Sequence, residues 1–326
     1  MMPAPALALL LLAVCSASPV DEQQQQLDKR IVGGTQVATN KYPFAVHLLM
    51  TLGMEQYMCG GALIDAAYVV TAAHCTVNTN TNSVADATQM SVCYGSNSLS
   101  KQQCTTARQI YVHPDYNSET LTNDIAVIQI SPLTLGKSVN TVNIYTGKLP
   151  EKTQLTTMGW GLTQSNNSNS IPDMLMSVDI EVGDSGVCAT STPNYRSADG
   201  PEVCAQNNLT PGKDSCEGDS GSPTILANNG TTAQLVAVTS SGYNMDNPGS
   251  AACGEKDGLG FYTHVYYYID FITSATKLSA SELTSDSGSS SGSEPQASTS
   301  SAASSPVGLP PLLLCAAWLA ASVFSF

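Results

Sequence analysis

The stretch GKDSCEGDSGSP, Gly212–Pro223, has the most unusual composition in the body of the chain. It includes three acidic residues, three serines and three glycines, a composition that does not suit a core strand. Ser220 lies between small neighbours in GDSG, so a substrate carbonyl can approach its hydroxyl while loop N–H groups point at the same carbonyl. The stretch is therefore either a solvated loop without a role or a loop built around a reactive serine.

A histidine and an aspartate elsewhere in the chain have the chemistry to activate such a serine. His74 lies in VVTAAHC, where an apolar strand gives way to small residues and a cysteine. Asp124 lies in TNDIAVIQI, at the start of another apolar strand. Each residue alone is more often structural, but a serine, a base and an acid together are what nucleophilic catalysis needs. The other histidines are interpreted as packing, surface or turn residues: His47, His113 and His264.

The composition and the N-terminus limit the partners and the compartment. A net charge of −14 and a pI of about 4.4 argue against a nucleic acid as partner. Residues 1–17 resemble a secretory signal peptide, because a short apolar run is followed by small residues; the alternative is a buried N-terminal helix. Secretion predicts that the eight cysteines other than Cys15 and Cys315 form disulfides. Three sequons permit glycosylation: Asn166, Asn208 and Asn229.

The C-terminal part of the chain has a different composition from the rest. Between Ser279 and Pro306, 13 of 28 residues are serine, so residues 278–306 are predicted to form a disordered stalk. Residues 307–326 are an apolar tail without flanking Lys or Arg. This pattern favours a removable GPI-attachment signal, and the alternative is a retained transmembrane span. Either one predicts attachment to a membrane at the cell surface.

The body of the chain, residues 31–277, is rich in short strand-like runs. Gly, Asn, Ser and Pro separate these runs at short intervals, and no repeat of 20–50 residues is visible. The exception is Val265–Lys277, where four apolar residues fall on one helical face: Val265, Tyr268, Ile269 and Ile272. Many short strands and one terminal helix favour an antiparallel β-barrel or sandwich.

Seven motifs, in order and with similar spacing, resemble those of the trypsin-type serine proteases over essentially all of residues 31–275. The resemblance implies an all-β fold of two packed antiparallel Greek-key β-barrels with a C-terminal helix. Barrel one would cover about residues 31–145 and barrel two about residues 146–277. The motifs are RIVGG (30–34), CGGALI (59–64), VVTAAHC (69–75), NDIAVI (123–128), GWG (159–161), DSCEGDSGSP (214–223) and GFYTHV (260–265).

The resemblance also implies a catalytic machinery for peptide hydrolysis. Ser220 would be the nucleophile, His74 the general base and then acid, and Asp124 the residue that orients the imidazole. The backbone N–H groups of Gly218 and Ser220 match the oxyanion hole, which stabilises the negative oxygen of the tetrahedral intermediate.

KRIVGG resembles the activation site of a zymogen. Cleavage after Arg30 would free the amine of Ile31, which in the family inserts and pairs with the acid before the nucleophile, here Asp219. Residues 18–30 would then be a propeptide.

By the same resemblance, Asp214 lies at the floor of the primary specificity pocket and pairs with Arg or Lys before the cut bond. The expected partners are therefore protein or peptide substrates with Arg or Lys, together with proteinaceous protease inhibitors. The other residues expected at the pocket are Ser215, Glu217, Ser240, Gly242 and Gly260.

The family pattern pairs Cys59–Cys75, Cys188–Cys204 and Cys216–Cys253. Cys93 and Cys104 remain, flank YGSNSLSKQQ, and are predicted to form a local bridge. No cofactor and no metal is expected, because the acidic calcium loop of mammalian trypsins has no clear counterpart around residues 96–103.

The chain departs from the family pattern at several positions near the proposed site. Ser222 replaces the second glycine after the nucleophile, and we expect it to be tolerated. Ser241 stands where a tryptophan normally lines the cleft, so we expect weaker binding of the residues upstream of the basic one. Leu259 stands where trypsin usually has proline, and the loop Tyr243–Ala252 is longer than in trypsin.

Three functional hypotheses follow from these observations. The first is a secreted endopeptidase that cuts after Arg or Lys. The second is a non-catalytic protease homologue that acts as a surface binding module, and the third is an active enzyme with altered preference. Non-catalytic homologues usually lack a residue of the triad, whereas all three are present here, which favours an enzyme.

Overall fold

A computed structural model describes residues 31–78, 81, 83–165, 167–192, 194–226, 232–247 and 253–285. The predicted signal peptide, propeptide and tail, together with Arg30, lie outside these residues, as do the sequons Asn166 and Asn229 and most of the predicted stalk. All of the described residues belong to one structural unit. None of its helices is long and apolar enough to cross a membrane.

The unit is built almost entirely from β-strands. In chain order they are β1 Thr35–Gln36, β2 Ala45–Leu52, β3 Glu55–Asp65, β4 Tyr68–Thr71, β5 Val77–Asn78, β6 Ser83–Val84, β7 Met90–Tyr94, β8 Gln103–Thr106, β9 Gln109–Val112, β10 Ala126–Gln129, β11 Asn143–Ile144, β12 Gln154–Gly159, β13 Met176–Glu181, β14 Glu202–Gln206, β15 Pro223–Leu226, β16 Gln234–Asn244 and β17 Gly258–His264. The α-helices are α1 Ser185–Cys188, α2 Ile269–Thr276 and α3 Ala280–Thr284. Short 3-10 helices cover Ala73–Thr76, Ala87–Gln89, Leu99–Lys101, Ser168–Ser170 and Val265–Tyr268.

The first barrel is the sheet β8-β7-β2-β3-β4-β10-β9, whose neighbouring strands are all antiparallel. The barrel closes where β8 continues into β9. At this point the N–H of Ala107 donates to Met90 on one side, and the N–H of Arg108 donates to Gln129 on the other side. One bent strand therefore joins the two edges of the sheet, so neither edge is left open.

The second barrel has the strand order β13-β12-β15-β16-β17-β14. An antiparallel bridge between Val182 and Ala205 connects its two edges. In each barrel three successive strands are followed by a fourth that lies beside the first: β7 beside β2, and β15 beside β12. This is the Greek-key arrangement, so the predicted all-β fold of two antiparallel Greek-key barrels is confirmed. A parallel pair, β11 with β16, is added at the side of the second barrel.

The range predicted for barrel one, about residues 31–145, includes segments at both of its ends that pack with barrel two. Strand β1 pairs with β13 of the second barrel, and the side chain of Ile31 lies in the second core, although both belong to the range assigned to barrel one. The strand β11 likewise pairs with β16. The N-terminal segment therefore packs on the second barrel before the chain enters the first barrel. Local sequence pattern does not reveal this crossing, because the paired strands are far apart in the chain.

The predicted C-terminal helix is present as a 3-10 turn, Val265–Tyr268, followed by α2. The side chains of Val265, Tyr268 and Ile272 are buried as expected. The folded part then continues past the predicted boundary at Lys277, because α3 has a capping box between Ser279 and Glu282 and buries Leu283. The stalk, predicted from residue 278, therefore does not begin there.

The two barrels share one hydrophobic core at their contact. The first core contains residues of barrel one together with Met158, Trp160, Ile225 and Val238 of barrel two. The indole N–H of Trp160 donates to the carbonyl of Asn97 at 2.8 Å, which fixes the ring in this interface. Residues singled out in the sequence meet across the two barrels, since Ser240 contacts Asp124 and the carbonyl of Ser220 accepts from Gly60.

Candidate active site

His74 and Asp124 form the most tightly connected pair in the site. His74 lies in the 3-10 helix that follows β4, and Asp124 lies two residues before β10, the strand that pairs with β4. The imidazole Nδ1 is 2.8 Å from Asp124 Oδ2, and the backbone N–H of His74 donates to Oδ1 at 2.9 Å. Both oxygens of the carboxylate thus hold the same histidine, so the position and the tilt of its ring are defined.

Two hydroxyls from the second barrel complete the surroundings of Asp124. Ser240 Oγ donates to Asp124 Oδ2 at 2.6 Å, and Thr263 Oγ1 donates to the backbone oxygen of Asp124 at 2.9 Å. Only 1% of Asp124 is exposed, whereas 26% of the His74 side chain is exposed. The acid is therefore hidden behind a histidine that substrate can reach.

The pKa values of this pair indicate an ion pair when His74 is protonated. Burial alone would lower the pKa of His74, but the charge of Asp124 and its hydrogen bond raise it above its ordinary value. Burial would raise the pKa of Asp124, but the charge of His74, its hydrogen bond and that of Ser240 lower it. Asp124 therefore stabilises an imidazolium, the form that a histidine takes after it accepts a proton.

The segment of Ser220 is connected to the segment of His74 through the first barrel. The N–H of Gly60 donates to the Ser220 carbonyl at 2.7 Å, and the neighbouring Cys59 is bonded to Cys75, the residue next to His74. Gly221 has φ +73°, and a Cβ there would lie 2.1 Å from Thr71 Oγ1. Only glycine allows this close approach of the loop to the first barrel.

Two backbone donors of the serine loop remain open for a ligand. Within the described residues, the N–H groups of Gly218 and Ser220 have no protein acceptor. Gly218 has φ +92°, a conformation that side-chain-bearing residues rarely adopt, and a Cβ there would lie 2.5 Å from Met58 Cε. The arrangement gives the loop two free N–H groups beside the Ser220 hydroxyl.

Asp219 lies behind this loop and is only 1% exposed. Its Oδ1 accepts from the N–H of Gly161 at 2.8 Å and its Oδ2 from the N–H of Cys216 at 2.9 Å. Burial raises the pKa of Asp219 to about 7 in spite of these bonds. In the described part of the chain no cation pairs with it. The side chain of Ile31 is fully buried in the second core, and the carbonyl of the next residue, Val32, accepts from the N–H of Asp214 at 3.2 Å.

A cavity of about 150 Å³ lies next to the serine. Five of the expected residues line it together with Ser220: Asp214, Ser215, Glu217, Ser240 and Gly242. Gly260, the sixth expected residue, is not among the lining residues; it pairs with the lining residue Gly242 across the ladder, and a Cβ there would lie 3.0 Å from the ring of Tyr262. Gly258, two residues earlier on the same strand, lines the wall instead, as do Ser241 and Leu259.

Asp214 is the buried acid of this cavity, and 8% of it is exposed, whereas the other acid of the lining, Glu217, is exposed. Its Oδ2 accepts hydrogen bonds from Asn207 Nδ2 and from the N–H of Gly254, both at 2.9 Å. Burial raises the pKa of Asp214, and these neutral donors offset part of the shift. A cationic group that entered the cavity would therefore meet a carboxylate without a charged partner among the described residues. Asn207 was not predicted, because it lies seven residues before Asp214 in a segment without a motif.

Ser222, the residue that replaces a family glycine, is accommodated without backbone strain. Its φ is not in the left-handed region, and its N–H donates to the Asp219 carbonyl at 2.9 Å. The side chain faces two glycines: a Cβ on Gly60 would lie 1.9 Å from Ser222 Oγ, and one on Gly159 would lie 2.9 Å from it. These glycines supply the space for the hydroxymethyl group, whose buried Oγ has no hydrogen-bond partner within the described residues. That the serine leaves activity unchanged stays a prediction.

Sequence reasoning missed a second buried acid beside the pair. Glu202 is 6% exposed and lines a cavity of about 90 Å³ that it shares with Asp124, Asn194 and Arg196. Its Oε2 has no partner within the described residues. Burial raises the pKa of Glu202 to about 7, and the charge of Asp124 adds to the effect. Glu202 is the first residue of β14, two positions before the disulfide-bonded Cys204, and the sequence contains no other signal for its burial.

The described residues contain four disulfides, and they are the four pairs expected from the sequence: Cys59–Cys75, Cys93–Cys104, Cys188–Cys204 and Cys216–Cys253. Cys59, His74 and Cys75 lie within 4.8 Å of one another, which is a spacing that could suit a metal ion. Both sulfurs are bonded to each other, however, so they are not thiolate ligands.

The fold and this arrangement define the chain as a serine endopeptidase with two Greek-key barrels. The family model for trypsin matches residues 31–272, and the chain belongs to the trypsin family. It is 34% identical to pig trypsin over 250 residues, which cover 75% of this chain and 95% of that protein. It is 33% identical to rat cationic trypsin-3 over 273 residues, covering 81% and 96%, and 32% identical to trypsin epsilon of Drosophila erecta over 269 residues, covering 82% and 94%.

The buried Glu202 generates a prediction about stability and pH. Its pKa rises from 4.5 to about 7 on folding, so folding binds a proton between these pH values. Below pH 4.5 the group has no effect, and above pH 7 the folded state bears the full cost of a buried charge. We expect Glu202→Gln to change the free energy of unfolding more favourably at pH 8 than at pH 4.5, by a difference on the order of 2–3 kcal/mol.

The measurement is urea unfolding across this pH range in a Ser220→Ala background, which prevents self-digestion. Glu119→Gln is the matched control, because Glu119 is exposed. Parallel pH profiles for the Glu202→Gln variant and its parent would contradict the prediction.

Proposed function

We propose that this protein hydrolyses peptide bonds after Arg or Lys through Ser220, His74 and Asp124, and that cleavage after Arg30 activates it. The observation that carries the proposal is the double contact of His74 with Asp124, through Nδ1 at 2.8 Å and the backbone N–H at 2.9 Å. A neutral His74 that donates from Nδ1 to Asp124 has its proton on that nitrogen. Its Nε2 is then free to accept the proton of a serine hydroxyl.

The proposed reaction begins when Ser220 Oγ attacks the substrate carbonyl and its proton moves to His74 Nε2. The carbonyl oxygen becomes negative and is stabilised by the open N–H groups of Gly218 and Ser220. His74 then gives its proton to the leaving amine, and the C–N bond breaks to leave an acyl-enzyme. Water attacks this ester by the same route, with His74 again accepting and returning a proton.

The surroundings of Asp219 support the proposed activation. Asp219 is buried, is held by two amide N–H groups, and has a pKa raised to about 7 by burial. The nitrogen of Ile31 is an uncharged amide in the intact chain, but cleavage after Arg30 converts it into an amine with a pKa of about 8. An ion pair between this amine and Asp219 would remove the cost of the buried charge and stabilise the loop that carries Gly218.

The cavity supports a preference for a basic residue before the cut bond. Asp214 contributes a buried carboxylate that has no charged partner in the part of the chain that the structure describes, and Ser215 contributes a hydroxyl 3.3 Å from Tyr262 Oη. Gly242 leaves the wall open, since a Cβ there would meet nothing closer than 3.9 Å. A long cationic side chain can therefore enter and pair with Asp214.

The first test is labelling of the active serine with a fluorophosphonate. The wild-type protein cut after Arg30 should react at Ser220, whereas Ser220→Ala should not react, and Arg30→Gln should stay unreactive after exposure to the activating protease. Failure of the activated wild-type protein to react would favour the non-catalytic binding module instead. An Arg30→Gln protein that matured and reacted normally would reject the proposed activation.

The second test concerns specificity. Among peptide substrates that differ only in the residue before the cut bond, kcat/KM should be much higher for Arg and Lys than for Phe. Asp214→Ser should reduce kcat/KM for the basic substrates by at least about 100-fold, because the buried charge partner is lost. Asp246→Ser is the control, because Asp246 is an exposed acid of the same barrel. Faster hydrolysis of Phe than of Arg substrates would show that Asp214 does not set the preference.

We further propose that the enzyme is secreted and attached to the cell surface by a lipid anchor added near the apolar tail. Support comes from the sequence of the two termini, where a signal-like apolar run and a serine-rich segment followed by an apolar end flank the protease. Protein substrates and protein inhibitors would then be its partners outside the cell.

A phosphatidylinositol-specific phospholipase tests the anchor. Treatment of intact cells that express the full chain should release the protease into the medium, because the enzyme cuts the anchor lipid. Retention on the membrane after treatment, with release of an established GPI-anchored protein in the same sample, would favour a transmembrane tail.

A further inference from the structure

Asn207 contacts the pocket acid Asp214, and the proposed reaction assigns no role to this asparagine. Asn207 follows β14 and is only 2% exposed. Its N–H donates to the Gly258 carbonyl at 3.0 Å, which continues the pairing of β14 with β17 by one residue. Its side-chain Nδ2 donates to Asp214 Oδ2 at 2.9 Å. The asparagine is thus held by the sheet in a position from which its amide contacts the pocket acid.

The second bond to the same oxygen makes this contact matter for specificity. The N–H of Gly254 also donates to Asp214 Oδ2, at 2.9 Å. An ionised carboxylate offers about four acceptor sites, two on each oxygen. The backbone N–H of Ser215 is a third donor to this carboxylate. With Asn207 and Gly254 in place, both sites of Oδ2 are occupied, so a substrate cation has to bind at Oδ1.

Arginine and lysine respond differently to a carboxylate with one open oxygen. A guanidinium binds best with two parallel N–H groups, one to each oxygen, whereas an ammonium is a compact charge that binds at a single oxygen. The hydroxyl of Ser215, which lines the same cavity, supplies a second acceptor for an ammonium. The site therefore prevents a substrate arginine from pairing with both carboxylate oxygens, which is the contact that favours arginine over lysine.

We propose that Asn207 is a specificity-determining residue that shifts the preference of this protease from Arg toward Lys by occupying Asp214 Oδ2. The inference rests on the proposed cleavage after basic residues. It adds a ranking within that class and a residue that sets the ranking.

Gly258 explains how the asparagine reaches the acid. A Cβ on Gly258 would lie 2.5 Å from Asn207 Nδ2 and 3.0 Å from the Glu255 carbonyl. The φ of Gly258 is not in the left-handed region, so alanine can adopt its backbone conformation. Its methyl group would displace the amide of Asn207 and shift the Glu255 carbonyl by a few tenths of an ångström. Gly258→Ala is therefore a second way to break the contact without altering Asn207.

The experiment compares activated wild-type protein with Asn207→Leu, which keeps the size of the side chain and removes the donor. Two peptide substrates that differ only in Arg or Lys before the cut bond give the ratio of kcat/KM. Competitive inhibition by benzamidine, a forked amidinium, and by pentylamine, a single ammonium, gives an independent binding ratio. Asn208→Leu is the matched control, because Asn208 is the adjacent asparagine and is exposed. All proteins are produced without N-glycosylation, because Asn208 belongs to a sequon.

We expect wild-type protein to cleave the Lys substrate at least as efficiently as the Arg substrate. In Asn207→Leu the Arg/Lys ratio should rise at least about threefold, with a parallel gain for benzamidine over pentylamine, and Asn208→Leu should leave both ratios unchanged. A loss of activity that is equal for both substrates, as a purely structural role would produce, leaves the ratio constant and overturns the inference.

A wild-type preference for Arg above about threefold overturns it as well. If Asn207→Leu does not fold, Gly258→Ala decides by the same two ratios. Absence of fluorophosphonate labelling at Ser220, or cleavage away from basic residues, would count against the proposed function. A constant ratio in an enzyme that does cleave after Arg and Lys counts against Asn207 alone.

Discussion

The buried carboxylate of Asp124 is the group on which the arrangement of both barrels depends. It lies in the first barrel with His74, but it accepts a hydrogen bond from Ser240, and its backbone oxygen accepts one from Thr263, both in the second barrel. A carboxylate that is 1% exposed is costly unless hydrogen bonds compensate it. The two barrels therefore satisfy this acid only when they are docked in one relative position, and the same position presents His74 to the serine loop.

The second barrel contains three further buried acids, and their degree of compensation differs. Asp214 and Asp219 are each held by neutral N–H donors, whereas Glu202 has one oxygen without a partner in the described chain. Burial raises the pKa of all three. Asp214 and Asp219 are thus prepared to gain a cation, which under the proposed function is the substrate side chain for one and the new amine of Ile31 for the other. Glu202 has no such role, and its buried acid is a cost that the fold tolerates next to Asp124.

Much of the fold could be predicted because the motifs sit on short local segments. The alternation of apolar residues and turns indicated strands, and the helical face of Val265, Tyr268 and Ile272 is buried as the pattern required. The end of the fold was misjudged for an equally local reason. The segment Ser279–Thr284 has the composition of a linker, and its capping box becomes a helix only because Leu283 finds a core to pack against. The crossing of β1 to the second barrel is a long-range pairing that no local pattern encodes.

The sequence by itself determined the family and with it the proposed reactive groups, since His74, Asp124 and Ser220 stand in motifs that together resemble one family, although each residue alone would more often be structural. Tertiary structure alone decided which residues share a wall or an oxygen. It brought Asn207 to Asp214, put Gly258 on the cavity wall, and buried Glu202 beside Asp124. The physical reason is that hydrogen bonds and desolvation act over a few ångströms in space, and the barrels bring together residues far apart in the chain, such as Asp124 and Ser240, separated by 116 positions.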